Sequence, residues 1–166
     1  LLTFTAHGGP GALNNPIIGT NILWGSAKGF DLEGPRTILP EPYMDTSATA
    51  DLNQDGYLDI VLGGWEQWYS DAADTAAQVA VYYGSSDGFE MADKVTLRSE
   101  GRSNGPIIAD FNKDGWLDIT VTSRETCRLR IFWGSENGFD EDRQQVVILP
   151  MAMGTEVADL NGDGWL

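Results

Sequence analysis

The sequence predicts an all-β fold of about three tandem repeats, and three observations carry that prediction. Two short motifs recur at a shared offset, the segments between them are strand-like, and no stretch holds a 3.6-residue apolar period over three helical turns. The first motif is DLNQDGYLDI at 51–60, DFNKDGWLDI at 110–119 and DLNGDGWL at 159–166, so its starts lie 59 and then 49 residues apart. The second is WGSAKGF at 24–30, YGSSDGF at 83–89 and WGSENGF at 133–139, with starts 59 and then 50 apart. Composition agrees, since the 166 residues include 20 Gly, 6 Trp, 5 Tyr and 6 Phe, the mixture expected of short strands joined by tight turns.

The repeat units run over about 1–58, 59–117 and 118–166. Leu166 stands where the second motif continues with Asp118, and LLTFTAHGG at the start aligns with LDIVLGGWE and LDITVTSRE, so a longer array is expected. Each unit reads as four strands. An apolar run follows the Asp-rich motif (58–62, 117–121), then comes a third strand (78–83, 128–133). The Gly-Ser-x-x-Gly-Phe segment makes a hairpin turn with Gly where positive φ is required. A further strand spans 94–98 or 145–149, and small apolar residues at 106–109 suit a crowded inner strand. Four antiparallel strands per repeat of 49–59 residues describe a β-propeller blade, so 1–166 is expected to be three blades cut from a longer propeller.

The Asp-rich motif has the spacing of a metal loop. Asp51, Asn53, Asp55 and Asp59 form one set, Asp110, Asn112, Asp114 and Asp118 the next, and Asp159, Asn161 and Asp163 begin a third. Alternate residues of a tight loop aim oxygens at one centre. The Gly at position six permits the turn, the backbone carbonyl at seven (Tyr57, Trp116, Trp165) adds an oxygen, and the Asp at nine closes the cage. An all-oxygen set disfavours zinc and copper, and a set this large favours Ca²⁺ over Mg²⁺. The bland alternative is an Asp/Asn/Gly-rich turn without metal; recurrence at one place in each repeat argues for the ion. An EF-hand shares the first six positions, but its twelfth should be Glu, whereas Leu62 and Val121 stand there and the flanks are strand-like. Dockerin modules fail on the same counts.

Other classes are set aside by charge and composition. With 25 acidic against 10 basic residues the net charge is −15, the wrong sign for a nucleic-acid surface. No run of 18 apolar residues spans a membrane. Cys127 is the single cysteine and has no zinc-ligand neighbour; it reads as a strand thiol. Residues 84–88 fit G-x-S-x-G on paper, but the central position is Ala27 or Glu136 in the other units and lies in a turn, so no nucleophile is assigned.

With these motifs the chain resembles the FG-GAP and VCBS-type repeats of integrin α-subunit propellers and bacterial surface proteins. The resemblance implies a loop between the first two strands of each blade that holds a structural Ca²⁺ on the residues named above. It also implies a whole propeller of about six to eight blades. Two features depart from the family pattern. The third loop has no ninth-position Asp, and the Gly-Ala-Pro signature is replaced by LGGW at 62–65 and VTSR at 121–124, which places the chain nearer the VCBS-like branch.

Antiparallel order puts the metal loops and the Gly-Ser-x-x-Gly-Phe turns on one face. Length variation falls on the other, with inserts at 7–18 and 65–77 against a short crossing at 123–126. Trp65, Glu66, Trp68 and Tyr69 form a candidate ligand rim there: their aromatics either stack on a sugar or protein partner or fold back over the blade edge. Trp24, Trp116, Trp133 and Trp165 fall on the repeat motifs and read as packing residues. The functional expectation is an extracellular, cell-surface or periplasmic scaffold, adhesion or binding module with a protein or glycan ligand and neighbouring blades as partners. The alternative is part of a propeller-fold polysaccharide lyase or hydrolase, although no carboxylate pair stands apart from the loops.

Overall fold

The computed structural model describes residues 2–6, 19–41, 44–64, 78–123, 125–150 and 154–166. Three antiparallel sheets follow one another along the chain. The first holds β1 (Leu2–Ala6) and β2 (Gly19–Leu23); a small ribbon, β3 (Gly25–Ser26) and β4 (Gly29–Phe30), leads to its third strand, β5 (Arg36–Leu39). The second holds β6 (Met44–Ala50), β7 (Asp59–Gly64) and β8 (Gln78–Tyr82), then the ribbon β9 (Gly84–Ser85) and β10 (Gly88–Phe89), and finally β11 (Val95–Arg98). The third is β12 (Asn104–Ala109), β13 (Asp118–Ser123), β14 (Arg128–Phe132) and β15 (Gln144–Ile148). Both four-stranded sheets are simple meanders in chain order, which is the connectivity of a propeller blade. The second and third sheets each start one strand before the repeat unit counted from the sequence, because the Asp-rich loop joins β6 to β7 and β12 to β13 within a sheet.

The strands expected from the sequence appear within two residues of their bounds. Pro106 sits inside β12, where a strand proline should remove a ladder donor. The register shifts between Asn104 and Ile107, so the proline lies in a bulge and no ladder bond is lost.

The core explains why the second sheet is apolar on both faces. Side chains alternate along a strand. Ile60 and Leu62 on β7, with Ala80 and Tyr82 on β8, pack against Ile22 and Leu39 of the first sheet. Val61, Val79, Val81 and Leu97 point the other way, onto Ile119, Val121 and Phe132 of the third sheet. The pairing register places Ile60 opposite Tyr82 and Val61 opposite Val81, so cross-strand partners share a face. Gly63 admits the next blade: a methyl there would lie 2.7 Å from the Ser103 carbonyl oxygen and 2.9 Å from Thr46 Oγ1. The Ser103 N–H donates to the Gly64 carbonyl at 2.8 Å, which links the second sheet to the approach of the third.

A buried polar clasp fastens the segment between the first two sheets. The Tyr82 hydroxyl and Lys94 Nζ each reach Glu41 Oε1 at 2.6 Å. Burial first, and the Glu41 carboxylate second, push the Tyr82 hydroxyl's pKa far above its usual range. Among the described residues no helix is long and apolar enough to cross a membrane.

Candidate metal centres

The three Asp-rich loops share one local conformation. The glycine at position six has positive φ in each: 91° at Gly56, 93° at Gly115 and 85° at Gly164. Position four is left-handed as well, at Gln54 (61°), Lys113 (60°) and Gly162 (74°). Sequence reasoning assigned only the sixth position. The signal for the fourth was present, because the third loop carries Gly162 there.

Five hydrogen bonds recur in all three loops. In the first, the Asp55 N–H is shared by Asp51 Oδ1 at 3.0 Å and Asn53 Oδ1 at 3.1 Å. The Gly56 N–H donates to Asp51 Oδ2 at 2.9 Å, the Tyr57 N–H to Asp55 Oδ1 at 2.8 Å, and Asn53 Nδ2 to Asp55 Oδ2 at 2.9 Å. Asp110, Asn112 and Asp114 repeat the set with the N–H groups of Asp114, Gly115 and Trp116. Asp159, Asn161 and Asp163 repeat it with those of Asp163, Gly164 and Trp165. Positions one, three and five are thus drawn around one knot of amides. Each carboxylate oxygen has a further lone pair beyond the bond it accepts.

The ninth-position Asp is tied to backbone donors on both sides of its loop. Asp59 is fully buried, and its two oxygens accept the N–H of Leu52 at 2.7 Å and of Gly84 at 2.8 Å. Asp118 does the same with Phe111 and Gly134, both at 2.9 Å. These carboxylates therefore bolt the Asp-rich loop to the Gly-Ser-x-x-Gly-Phe turn, and the two repeat motifs meet in space. Gly84 and Gly134 must be glycines here, since a methyl group would collide with the carbonyl oxygens of Leu58 and Leu117. Among the described residues, no three His, Cys, Asp or Glu side chains converge as an ion-holding group by themselves. The ninth carboxylate thus takes backbone donors, as Asp51 and Asp55 do.

Burial raises the pKa of Asp59, offset in part by the amides of Gly84 and Leu52 and reinforced by the charge of Asp55. Asp118 is raised for the same reasons, with Asp114 and Asp110 adding to it. Negative charge is therefore crowded at a buried carboxylate in both complete loops, which a cation would relieve. In the third loop, Asp159 is held low chiefly by the Gly164 N–H and Asp163 by the Trp165 N–H.

Tryptophan placement divides. Trp116 and Trp133 are half-buried, as packing residues should be. Trp24 and Trp165 are 51% and 57% exposed. Trp24 stacks on Phe89 of the next blade at 6.2 Å and donates Nε1–H to Thr37 Oγ1. Trp165 lies under Lys113 Nζ at 3.7 Å. The candidate rim of Trp65, Glu66, Trp68 and Tyr69 lies outside the described residues, as does the insert at 7–18.

Comparison with known proteins identifies the repeats. A family model described as an FG-GAP-like repeat matches residues 51–121 and again 110–166. The chain belongs to the FG-GAP-like repeat family. Its FG-GAP-like repeats are similar to cartilage acidic protein 1 of Homo sapiens, 28% identical over 125 residues, covering 74% of this chain and 19% of that protein. Integrin alpha-6 of Gallus gallus is 28% identical over 106 residues, 60% of this chain and 10% of the integrin. Integrin alpha-6 of Homo sapiens is 30% identical over 124 residues, 71% and 10%. The FG-GAP-like chain thus spans a fifth or less of the length of these relatives. No solved structure matches it.

Proposed function

We propose that the chain is a calcium-stabilised adhesion or binding module of a protein that works outside the cell. The observation that carries this reading is the recurrence, a repeat apart, of one loop with the same five hydrogen bonds and an all-oxygen donor set. Asp51, Asn53, Asp55, the Tyr57 carbonyl and Asp59 would hold one ion. Asp110, Asn112, Asp114, the Trp116 carbonyl and Asp118 would hold the next. Asp159, Asn161, Asp163 and the Trp165 carbonyl would hold a third. Ca²⁺ takes six to eight oxygens in a flexible shell, whereas Mg²⁺ demands a small octahedron and retains water. The ion supplies rigidity: it offsets the charge crowded at Asp59 and Asp118 and holds the β6–β7 and β12–β13 connections in place.

Extracellular calcium is millimolar, which suits loops of modest affinity. The relatives named integrin support an adhesion role. The connections that differ in length between repeats are where the module takes a protein or glycan ligand, with Trp65, Glu66, Trp68 and Tyr69 as candidate contacts.

Thermal unfolding in EDTA, in a few millimolar Ca²⁺ and in equal Mg²⁺ tests the reading. An ion at 100 times its dissociation constant that binds only the folded state adds about 2.7 kcal/mol. A Ca²⁺-specific rise in Tm that shrinks in Asp55→Ala and Asp114→Ala is expected. Cooperative unfolding indifferent to Ca²⁺ would reduce the loops to turns and remove the extracellular argument with them.

A further inference from the structure

Two contacts pass from one loop to the next, and both begin at the fourth loop position. Gln54 Nε2 donates to the Gly115 carbonyl at 2.8 Å, a bond between residues 61 apart in sequence. Lys113 Nζ lies 3.7 Å from the ring centroid of Trp165. Both residues hold a left-handed backbone that glycine adopts freely, and the third loop has glycine there. The first two loops instead carry long polar side chains in a strained conformation, and each side chain reaches the loop of the following repeat.

The Gln54 bond lands on an informative peptide. The Gly115 carbonyl and the Trp116 N–H belong to one planar amide. That N–H donates to Asp114 Oδ1 at 2.9 Å, and the Trp116 carbonyl is the proposed backbone ligand. A side chain from the first loop therefore fixes the peptide that orients a carboxylate of the second. We infer that Gln54 and Lys113 are positioning residues that couple neighbouring calcium loops, so that an ion in residues 51–59 tightens binding in 110–118, and an ion there tightens binding in 159–166. This rests on the calcium reading above.

The mechanism is ordering. Gln54 stands between Asn53 and Asp55, so an ion gripped by those two fixes its backbone and aims its amide. The second loop then meets its ion with the Gly115–Trp116 peptide already held, and less freedom is lost on binding. Such coupling is reciprocal and is typically about 5–150-fold in affinity. In Lys113 the same position delivers a cation to the Trp165 ring, a weaker link of the same direction.

Site-resolved calcium titration tests the coupling. The Gly56 and Gly115 amides each donate to the first carboxylate of their own loop, so their ¹H–¹⁵N resonances report loops one and two separately. In the unaltered chain, silencing loop one with Asp55→Ala is expected to raise the Gly115 midpoint at least fivefold. Gln54→Gly alone, which removes the contact and the backbone strain together, is expected to raise it by a similar factor with no loss of Tm in EDTA. Asp55→Ala added to Gln54→Gly should then change little. A Gly115 midpoint within twofold in Gln54→Gly, while both amides still respond to calcium, would overturn the coupling and leave the calcium sites standing. If neither amide of the unaltered chain responds to calcium, the calcium reading fails and the coupling with it.

Discussion

The first two Asp-rich loops and the third share Asp, Asn, Asp and Gly at positions one, three, five and six, and differ in how far their second residue is buried. All three hold the same five internal hydrogen bonds. In the first, the residue at position two, Leu52, is 4% exposed and part of the core between sheets two and three. In the third, the equivalent Leu160 is 95% exposed. Asp59 and Asp118 are buried bolts with raised pKa, whereas Asp159 and Asp163 are exposed and lowered by amide donors. The loop's shape is therefore local, written in glycine, asparagine and aspartate spacing. Its attachment to a sheet is not: in the first two loops it runs through the buried carboxylates of Asp59 and Asp118.

The sharpest way to break this comparison is to make the same truncation in both places. Leu52→Ala empties a packed site and should cost about 2–5 kcal/mol in urea unfolding. Leu160→Ala should stay within about 0.5 kcal/mol. Equal effects would mean that Leu160 is packed in solution and that the contrast between the loops is false.

The bolt gives the next largest effect. Asp118→Ala strands the buried N–H of Gly134 and the part-buried N–H of Phe111, and a buried donor left unpaired costs about 1–3 kcal/mol, so about 1–4 kcal/mol is expected. Asp118→Asn keeps one acceptor oxygen and should fall between. Asp163→Ala, in the third loop, strands only exposed donors and should cost less than about 1 kcal/mol without calcium. A small penalty in Asp118→Ala would show that water replaces the carboxylate and that the two motifs are not joined through it.

A third pair separates the turns themselves. Gly134→Ala drives a methyl group into the Leu117 carbonyl and should cost about 1–3 kcal/mol. In the first sheet, Gly25→Ala meets only the side chain of Phe30, at 3.4 Å, and should be close to neutral. The same motif position is thus obligatory where an Asp-rich loop packs against it and permissive where none of the described residues does.

These contrasts show how far the sequence could be read. The strands, their order and the faces of the loops follow from alternation and from the two repeated motifs. The tie between those motifs was visible only as a constant offset. Nothing in a string of letters says that Asp59 turns back to Leu52 and forward to Gly84, because that choice is made by burial and by two amide donors that the sheet brings together. Repeats are periodic, so any cut of the sequence is as good as another until hydrogen bonding shows which four strands form one sheet. The exposure of Trp24 and Trp165 also escaped sequence reasoning, since a residue at a repeat position is a core residue only where the neighbouring blade covers it.

The smallest effect is the most diagnostic of loop conformation. A left-handed backbone costs a residue with a Cβ about 1–2 kcal/mol. Lys113 bears that cost and recovers part of it over the Trp165 ring, where a cation–π contact is worth about 0.5–1 kcal/mol at an exposed site. Lys113→Ala loses the contact and keeps the strain, so it should destabilise by about 0.5–1 kcal/mol. Lys113→Gly loses the contact but relieves the strain, so it should be near neutral or slightly stabilising. The order glycine above alanine, read as a difference in urea midpoint, is the expected result. The reverse order is what an ordinary right-handed position would give, and it would mean that the fourth residue does not hold the conformation from which it reaches the next loop.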